Sequence, residues 1–213
     1  MAKQTDCIKL RGGRTIHHAV RLAQTLGLTP NLFVTIKFWE TSVSSDTTSA
    51  VFSQIRAKFG KWIQRPSRRF ASFLVPPTFV WVLENPEDNG HLHAHWLVLV
   101  PSARQQDFAC KLDKWLAREG KVYSSQAVHM ETVKNPLSAA KYMLKGQFKP
   151  LARHFGIRHE HQGWIEGKRS GCSENIGPTQ HARFCRAGKH PRPERWRPDK
   201  YRTQASALQL SPR

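Results

Sequence analysis

The 213-residue sequence has few cysteines, few acidic residues and no long apolar run. Its four cysteines form no Cys-x-x-Cys pair, which argues against a disulfide scaffold and favours a reducing compartment. No apolar stretch approaches the ~18 residues of a membrane-spanning helix, and the first residues lack the apolar core of a secretion signal. We therefore expect a cytoplasmic protein that does not enter a membrane.

Basic residues are abundant: 34 Lys and Arg stand against 15 Asp and Glu, giving a net charge of +19. Such an excess predicts a polyanionic partner, nucleic acid above all. Residues 151–213 hold 13 basic and 5 acidic residues, net +8, which leaves +11 for residues 1–150. A basic tail alone therefore does not explain the charge. We expect one catalytic domain over residues 1–150 and a basic, partly disordered accessory segment over residues 151–213.

Hydrophobic periodicity predicts the order of helices and strands. Apolar residues recur at helical spacing over residues 15–28, 45–65 and 105–118, and β-branched or alternating runs predict strands over residues 32–39, 78–84, 91–100 and 121–133. After the first helix the order is strand, helix, strand, strand, helix, strand. This is the split βαβ order of ferredoxin-like or RRM-like α+β domains, with an antiparallel sheet and helices packed on one face. The other face would then be free for a ligand.

Three histidines alternate at the start of one predicted strand: His91, His93 and His95. Alternate side chains of a strand share a face, so the three imidazoles would project together. Glu84 ends the preceding strand, and the intervening turn, rich in Asn, Pro, Asp and Gly, would bring its carboxylate close. Imidazoles beside a carboxylate are suitable ligands for a divalent metal ion.

A short helix follows the last predicted strand. Asn135 suits its N-cap, Pro136 its first position and Gly146 its C-terminal end. Tyr142 and Lys145 are three residues apart and therefore share a face. A tyrosine beside a divalent ion can attack a phosphodiester and form a covalent intermediate. The other tyrosines, at positions 123 and 201, lack this setting.

Three short motifs occur in a recognisable order over roughly residues 30–146. They are Phe33-Val34-Thr35-Ile36-Lys37, then His93-Ala94-His95 followed by Trp96-Leu97-Val98-Leu99-Val100-Pro101, then Tyr142-Met143-Leu144-Lys145. In these motifs the sequence resembles the HUH endonuclease superfamily, specifically its single-tyrosine replication-initiator (Rep) type.

The resemblance implies a site-specific nickase and strand transferase on single-stranded DNA, acting through a covalent 5′-phosphotyrosine. Tyr142 would be the nucleophile, and Lys145 would orient the phosphate or metal-bound groups. His93 and His95 would bind Mg²⁺ or Mn²⁺, with Glu84 or His91 as third ligand. Ala94 stands where the family usually has a bulky apolar residue, so His91-Leu92-His93 stays open as an alternative frame.

The implied partner is single-stranded DNA at a replication origin or element end, possibly a hairpin, with host replication proteins as further partners of a bacterial or mobile-element protein. Basic residues expected on the DNA are Lys37, Arg68, Arg69, Lys141, Lys168 and Arg169.

Two other functions fit the same sequence. One is a transposase of the same superfamily acting at hairpin ends. The other is a non-catalytic nucleic-acid binder, which would stack bases on exposed aromatics such as Phe33 and Trp81. A zinc site formed by Cys172, His181, Cys185 and His190 is a weaker hypothesis, because the spacing matches none of the common ligand patterns.

Overall fold

The computed structural model describes residues 4–66, 74–86, 90–120 and 124–191. Six helices lie in this part of the chain: α1 Leu10–Thr25, α2 Thr48–Ile63, α3 Gln105–Gly120, α4 Pro136–Met143, α5 Lys149–His154 and α6 Pro178–Arg186. The strands are β1 Gln4–Thr5, β2 Leu32–Lys37, β3 Phe79–Glu84, β4 His93–Val98, β5 Val128–Thr132, β6 Ile165–Glu166 and β7 Ser170–Cys172.

The main sheet has five strands in the order β5-β2-β4-β3-β7, and every neighbouring pair is antiparallel. Its first four strands alternate with α2 and α3 along the chain in the predicted split βαβ order. The α+β, ferredoxin-like class expected from the sequence is therefore confirmed. Strands β1 and β6 form a separate two-stranded sheet.

Helices α2 and α3 cover one face of the main sheet. Phe52 and Phe59 of α2 and Phe108 of α3 are fully buried there, packed around Trp96 in the middle of β4. Burying a side chain of this size stabilises the fold by roughly 1.5–3 kcal/mol before the entropy of ordering is subtracted. This apolar layer explains why apolar residues recur every three or four positions along α2.

The opposite face differs in one detail from the expectation of helices on one side only. Helices α1 and α4 pack on it, with Ile16 and Val20 of α1 lying in one buried cluster with Val80, Val82 and Leu97 of the sheet. Since α1 has an apolar stripe of its own, it needs a surface to cover, and the sheet supplies it. Near β5 this face carries the exposed or half-buried polar side chains of Thr35, His129 and Glu131.

Two glycines mark places where packing, and not helix propensity, set the local structure. Helix α1 begins at Leu10, earlier than the predicted residue 15, and passes so close to Gln147 that a Cβ on Gly13 would lie 2.6 Å from its Nε2. Gly146 does not end α4 as predicted, because the helix already stops at Met143. A Cβ on Gly146 would instead lie 2.7 Å from Gln162 Cγ.

The strand pairing crosses the boundary expected near residue 150. Strand β7 pairs with β3, and β6 pairs with β1, so residues beyond 150 complete both sheets. These strands are only two and three residues long, too short for a periodic pattern in the sequence to predict them. Residues 192–213 of the expected accessory segment lie outside the described residues. Where the chain is described, none of its helices combines the length and apolarity that crossing a membrane requires.

Candidate active site

Glu84, His93 and His95 meet on one face of the β3–β4 pair. Glu84 is directly opposite His93 in the register, and His95 lies two residues further along the same face. All three side chains are buried. Their ligand atoms lie within 4.8 Å of one another, so the three residues form a group that could hold a metal ion. The identity of that ion is not set by this geometry.

The hydrogen bonding of His93 favours a cation in this group. His93 Nδ1 lies 2.9 Å from the carbonyl oxygen of His91, which can only accept, so Nδ1 carries the hydrogen. In a neutral ring the lone pair is then on Nε2, which lies 3.2 Å from Glu84 Oε2. Two acceptors facing each other at this distance require a proton or a metal ion between them. A backbone carbonyl on the far nitrogen is also how metal-binding histidines are usually oriented.

His95 Nε2 and Glu84 Oε1 also indicate a metal ion in this group. Thr35 Oγ1 lies 3.0 Å from His95 Nδ1 and orients that ring, while His95 Nε2 faces Glu84 Oε2 at 3.4 Å. His95 Nε2 and the second carboxylate oxygen, Glu84 Oε1, are buried without a hydrogen-bond partner. Buried polar atoms are rarely left unsatisfied. Their donor chemistry, imidazole nitrogen and carboxylate oxygen, fits a divalent metal ion.

His91 does not join this group. It lies before β4, where its side chain is exposed and its ring packs 5.1 Å from that of Trp39. Its contribution is the main-chain carbonyl that holds His93. The structure therefore brings together His93 and His95 with Glu84, and not the alternative frame of His91 and His93. The alternation of a strand predicted that His91 would share the face of His93 and His95. This prediction is wrong because the strand begins only at His93.

Tyr142 and Lys145 lie against the same group. The Asn135 side chain caps α4 as predicted, accepting a hydrogen bond from the Ser138 amide at 3.0 Å. Lys145 follows the end of this helix, and its Nζ donates to Tyr142 Oη at 3.0 Å and lies 3.1 Å from Glu84 Oε2. The Tyr142 side chain is 51% exposed, with its ring 5.4 Å from that of His95. An accessible hydroxyl thus lies beside an ammonium and the three buried side chains.

The pKa values of Glu84, His95 and Lys145 are all shifted by their mutual contacts and by burial. Burial alone would raise the pKa of Glu84, but the imidazole nitrogens of His93 and His95 and the Lys145 ammonium outweigh it and lower the pKa well below its usual range. Burial also lowers the pKa of His95, and the Glu84 carboxylate only partly offsets this effect. For Lys145, burial acts to lower the pKa, but the Glu84 charge and the Tyr142 hydrogen bond raise it overall. At neutral pH the site therefore holds an ionised carboxylate, a neutral His95 and a charged lysine.

The basic residues expected on DNA lie in different settings. Lys141 is exposed on α4, and Lys168 is exposed with its Nζ 6.0 Å from the Trp81 ring centroid. Lys37 is half-buried beside the exposed Trp39. Arg68 and Arg69 lie outside the described residues.

Arg169 is a correction to the expected set of DNA-binding residues. Its side chain is buried, and its guanidinium donates to the main-chain carbonyls of Gln162, Thr5 and Gly163. It therefore ties the chain near β6 to the N-terminal strand. Charge alone could not separate this structural arginine from a surface one.

The structure does not support base stacking on Phe33 and Trp81 or the zinc site considered from the sequence. Phe33 and Trp81 are buried, so neither offers an open ring for base stacking. Of the four residues considered for zinc, Cys172 lies in β7 and His181 and Cys185 on α6, and in the described part of the chain their ligand atoms do not converge into a metal-binding group. Within the described residues, Glu84, His93 and His95 are the only His, Cys, Asp and Glu side chains whose ligand atoms converge in a group of three.

The role of Thr35 in orienting His95 was not predicted from the sequence, although the strand that contains Thr35 was. The exposed Trp39, whose ring lies 5.7 Å from that of His93, was not predicted either. Pairing across strands decides both contacts. A scan of this chain against models of known protein families found no match, and a search of curated proteins found no matching relative either.

Proposed function

We propose that this protein is a metal-dependent endonuclease and strand transferase that nicks single-stranded DNA through a covalent 5′-phosphotyrosine, as a replication initiator of the HUH type does. The observation that carries this proposal is the position of Tyr142. Its exposed hydroxyl lies at the edge of a buried Glu84–His93–His95 group and accepts a hydrogen bond from Lys145. The net charge of +19 suits a phosphate-rich substrate.

Tyr142 would supply the nucleophile. Its Oη forms a bond to the phosphorus of the scissile phosphodiester while the bond to the 3′ oxygen breaks. The phenolic proton passes to water, and the departing 3′ oxygen gains a proton and becomes a hydroxyl. The number of phosphoester bonds is unchanged, so the reverse reaction can rejoin a strand without another energy source.

Lys145 would stabilise charge on the attacking oxygen and not remove its proton. Its pKa is raised and its Nζ is a donor to Tyr142 Oη, so the lysine is charged throughout. A neutral phenol is a weak nucleophile, and a cation in hydrogen-bond contact stabilises the charge on the oxygen as it attacks.

Glu84, His93 and His95 would hold the divalent ion. When bound, that ion would polarise a phosphodiester oxygen and stabilise the negative charge that develops in the transition state. The protein's part is to keep the His93 and His95 rings fixed, through the His91 carbonyl and the Thr35 hydroxyl.

The test is incubation of the full chain with circular single-stranded DNA and Mn²⁺, followed by a denaturing gel. We expect a covalent protein–DNA adduct with the wild type and none with Tyr142→Phe. This substitution keeps the aromatic ring, and because the side chain is half exposed, it should leave the stability of the protein unchanged. His93→Ala combined with His95→Ala, or excess EDTA, should abolish the adduct while most DNA affinity remains. Lys114→Gln, at an exposed lysine of α3 outside the expected DNA-binding set, is the control.

Two outcomes would contradict the proposal. If Tyr142→Phe nicks at the wild-type rate, water is the nucleophile and the protein is an ordinary metal-dependent nuclease. If mass spectrometry of the trapped adduct finds the nucleotide on Tyr123 or Tyr201, the nucleophile has been wrongly assigned.

A further inference from the structure

A groove lies beside Tyr142, on the sheet face opposite α2 and α3. Its volume is about 380 Å³, within the range of ~300–1,000 Å³ usual for small-ligand sites. It lies between β5 and α4 and is lined by Phe33, Thr35, His95, His129, Glu131, Ala139 and Tyr142. Because Tyr142 and His95 are in its wall, whatever occupies the groove lies next to the atoms that would react.

Two cross-strand rows form the floor of this groove. In one row His129 of β5 is opposite Thr35 of β2, which is opposite His95 of β4. In the other, Glu131 is opposite Phe33. His129 and Glu131 are exposed, whereas His95 is buried. The first row therefore crosses three adjacent strands, from the exposed His129 in the groove to the buried His95 of the proposed metal site.

The charge of the groove is unusual for this protein. Its lining contains no Lys or Arg but does contain the carboxylate of Glu131. Among the described residues Glu131 has no ion-pair partner that would neutralise it. An exposed carboxylate repels phosphate, so the groove is unsuited to the DNA backbone. It suits a neutral group that presents hydrogen-bond donors.

Nucleobases fit these requirements. The half-exposed ring of Tyr142 gives the groove an aromatic wall, and the buried Phe33 ring supports it edge-on, with the two centroids 6.1 Å apart. A glutamate oxygen can accept a hydrogen bond from the amino group of a base, as in recognition of cytosine N4. Thymine has no amino group, and its one ring donor, N3–H, lies between two carbonyl oxygens that the Glu131 carboxylate would repel.

We propose that the groove binds the nucleobase adjacent to the scissile phosphate, and that Glu131 accepts a hydrogen bond from the amino group of that base. Glu131 is then a specificity-determining residue that selects cytosine, adenine or guanine over thymine at one position. This inference rests on the proposed function, because the phosphate must lie at Tyr142 for the neighbouring base to reach the groove.

The experiment uses a pool of single-stranded DNA with random sequence, cut by the full chain in Mn²⁺, with sequencing on both sides of the cut. For the wild type we expect thymine to be depleted at one position beside the cut by about 5- to 100-fold, the range of a good base contact. Glu131→Gln, which can also donate to a thymine oxygen, should remove that depletion at that position only. Glu174→Gln, the same charge change at another exposed carboxylate, should keep it. Equal profiles for wild type and Glu131→Gln would overturn the proposal.

A second selection separates failure of this proposal from failure of the proposed function. The same pool is selected for binding to Tyr142→Phe and to Tyr142→Phe combined with Glu131→Gln, neither of which needs to cut. If the wild type forms no adduct, the covalent mechanism is wrong. A depletion of thymine among the bound sequences that disappears with Glu131→Gln would still support base recognition by the groove. Identical bound sequences for the two variants would refute it.

Discussion

Replacing Lys145 with Met should make the protein bind Mn²⁺ more tightly while abolishing its activity. The Lys145 ammonium lies 3.1 Å from Glu84 Oε2, the only carboxylate in the proposed metal group, and therefore competes with the ion for that carboxylate. Methionine has a similar length and no charge. The substitution thus removes the competitor and leaves Glu84, His93 and His95 unchanged.

The expected magnitude follows from the distance and the burial. Unit charges ~4 Å apart at an effective dielectric constant of ~20 interact by about 4 kcal/mol. The Lys145 side chain is 13% exposed, so water recovers part of this energy. A net gain of about 1–2 kcal/mol in metal binding corresponds to a Kd lowered about 5- to 30-fold. Without metal, Glu84 loses its buried partner, and we expect the free energy of unfolding to fall by about 1–3 kcal/mol.

Calorimetric titration with Mn²⁺ measures the Kd, and thermal unfolding in EDTA measures the loss of stability, at about 2–4 °C in Tm per kcal/mol for a domain of this size. Lys141→Met is the matched control, because it removes the same charge from an exposed position on α4. Glu84→Gln should bind Mn²⁺ weakly or not at all. The reasoning is refuted if Lys145→Met and Lys141→Met have the same Kd.

Two further predictions concern stability. Gly13→Ala should destabilise the protein by about 1–3 kcal/mol, because its Cβ would meet the fully buried Gln147 side chain at 2.6 Å. Gly60→Ala, also within a helix, meets its nearest atom at 3.8 Å and should stabilise by about 1 kcal/mol; urea unfolding of both variants checks the opposite signs. Burial, and then the neighbouring His181, lower the pKa of His18 to about 4, so the unfolded chain binds the proton more readily and stability falls as pH drops from about 6.5 to 4. His18 is partly exposed, which limits this loss to about 1–2 kcal/mol, and His18→Gln should flatten the dependence of Tm on pH over that interval.

The order of elements could be predicted from the sequence because it depends on local patterns. Helical spacing identified α2 and α3, and β-branched residues identified β2. The cap of α4 was likewise local, since Asn135 bonds to an amide three residues away. Even the proximity of Glu84 to the histidines followed from a short turn between consecutive strands.

Features that depend on contacts between distant segments were not predictable in this way. The need for glycine at position 13 of α1 comes from the close approach of Gln147, far along the chain, and the short strands β6 and β7 are stabilised by partners more than 80 residues away. The burial of Arg169 has partly the same origin, because its guanidinium donates to the carbonyl of Thr5, 164 residues away, as well as to the nearby carbonyls of Gln162 and Gly163.

The candidate active site combines both kinds of information. Residue types and spacing in the sequence sufficed to predict a strand with histidines, a nearby glutamate and a helix with Tyr142 and Lys145. Pairing of β2, β4 and β5 then selected His95 over His91, placed Thr35 behind it and brought Glu131 into the groove beside Tyr142. A side chain's face and period are encoded locally, but its neighbours across a sheet depend on register, which only the assembled fold establishes.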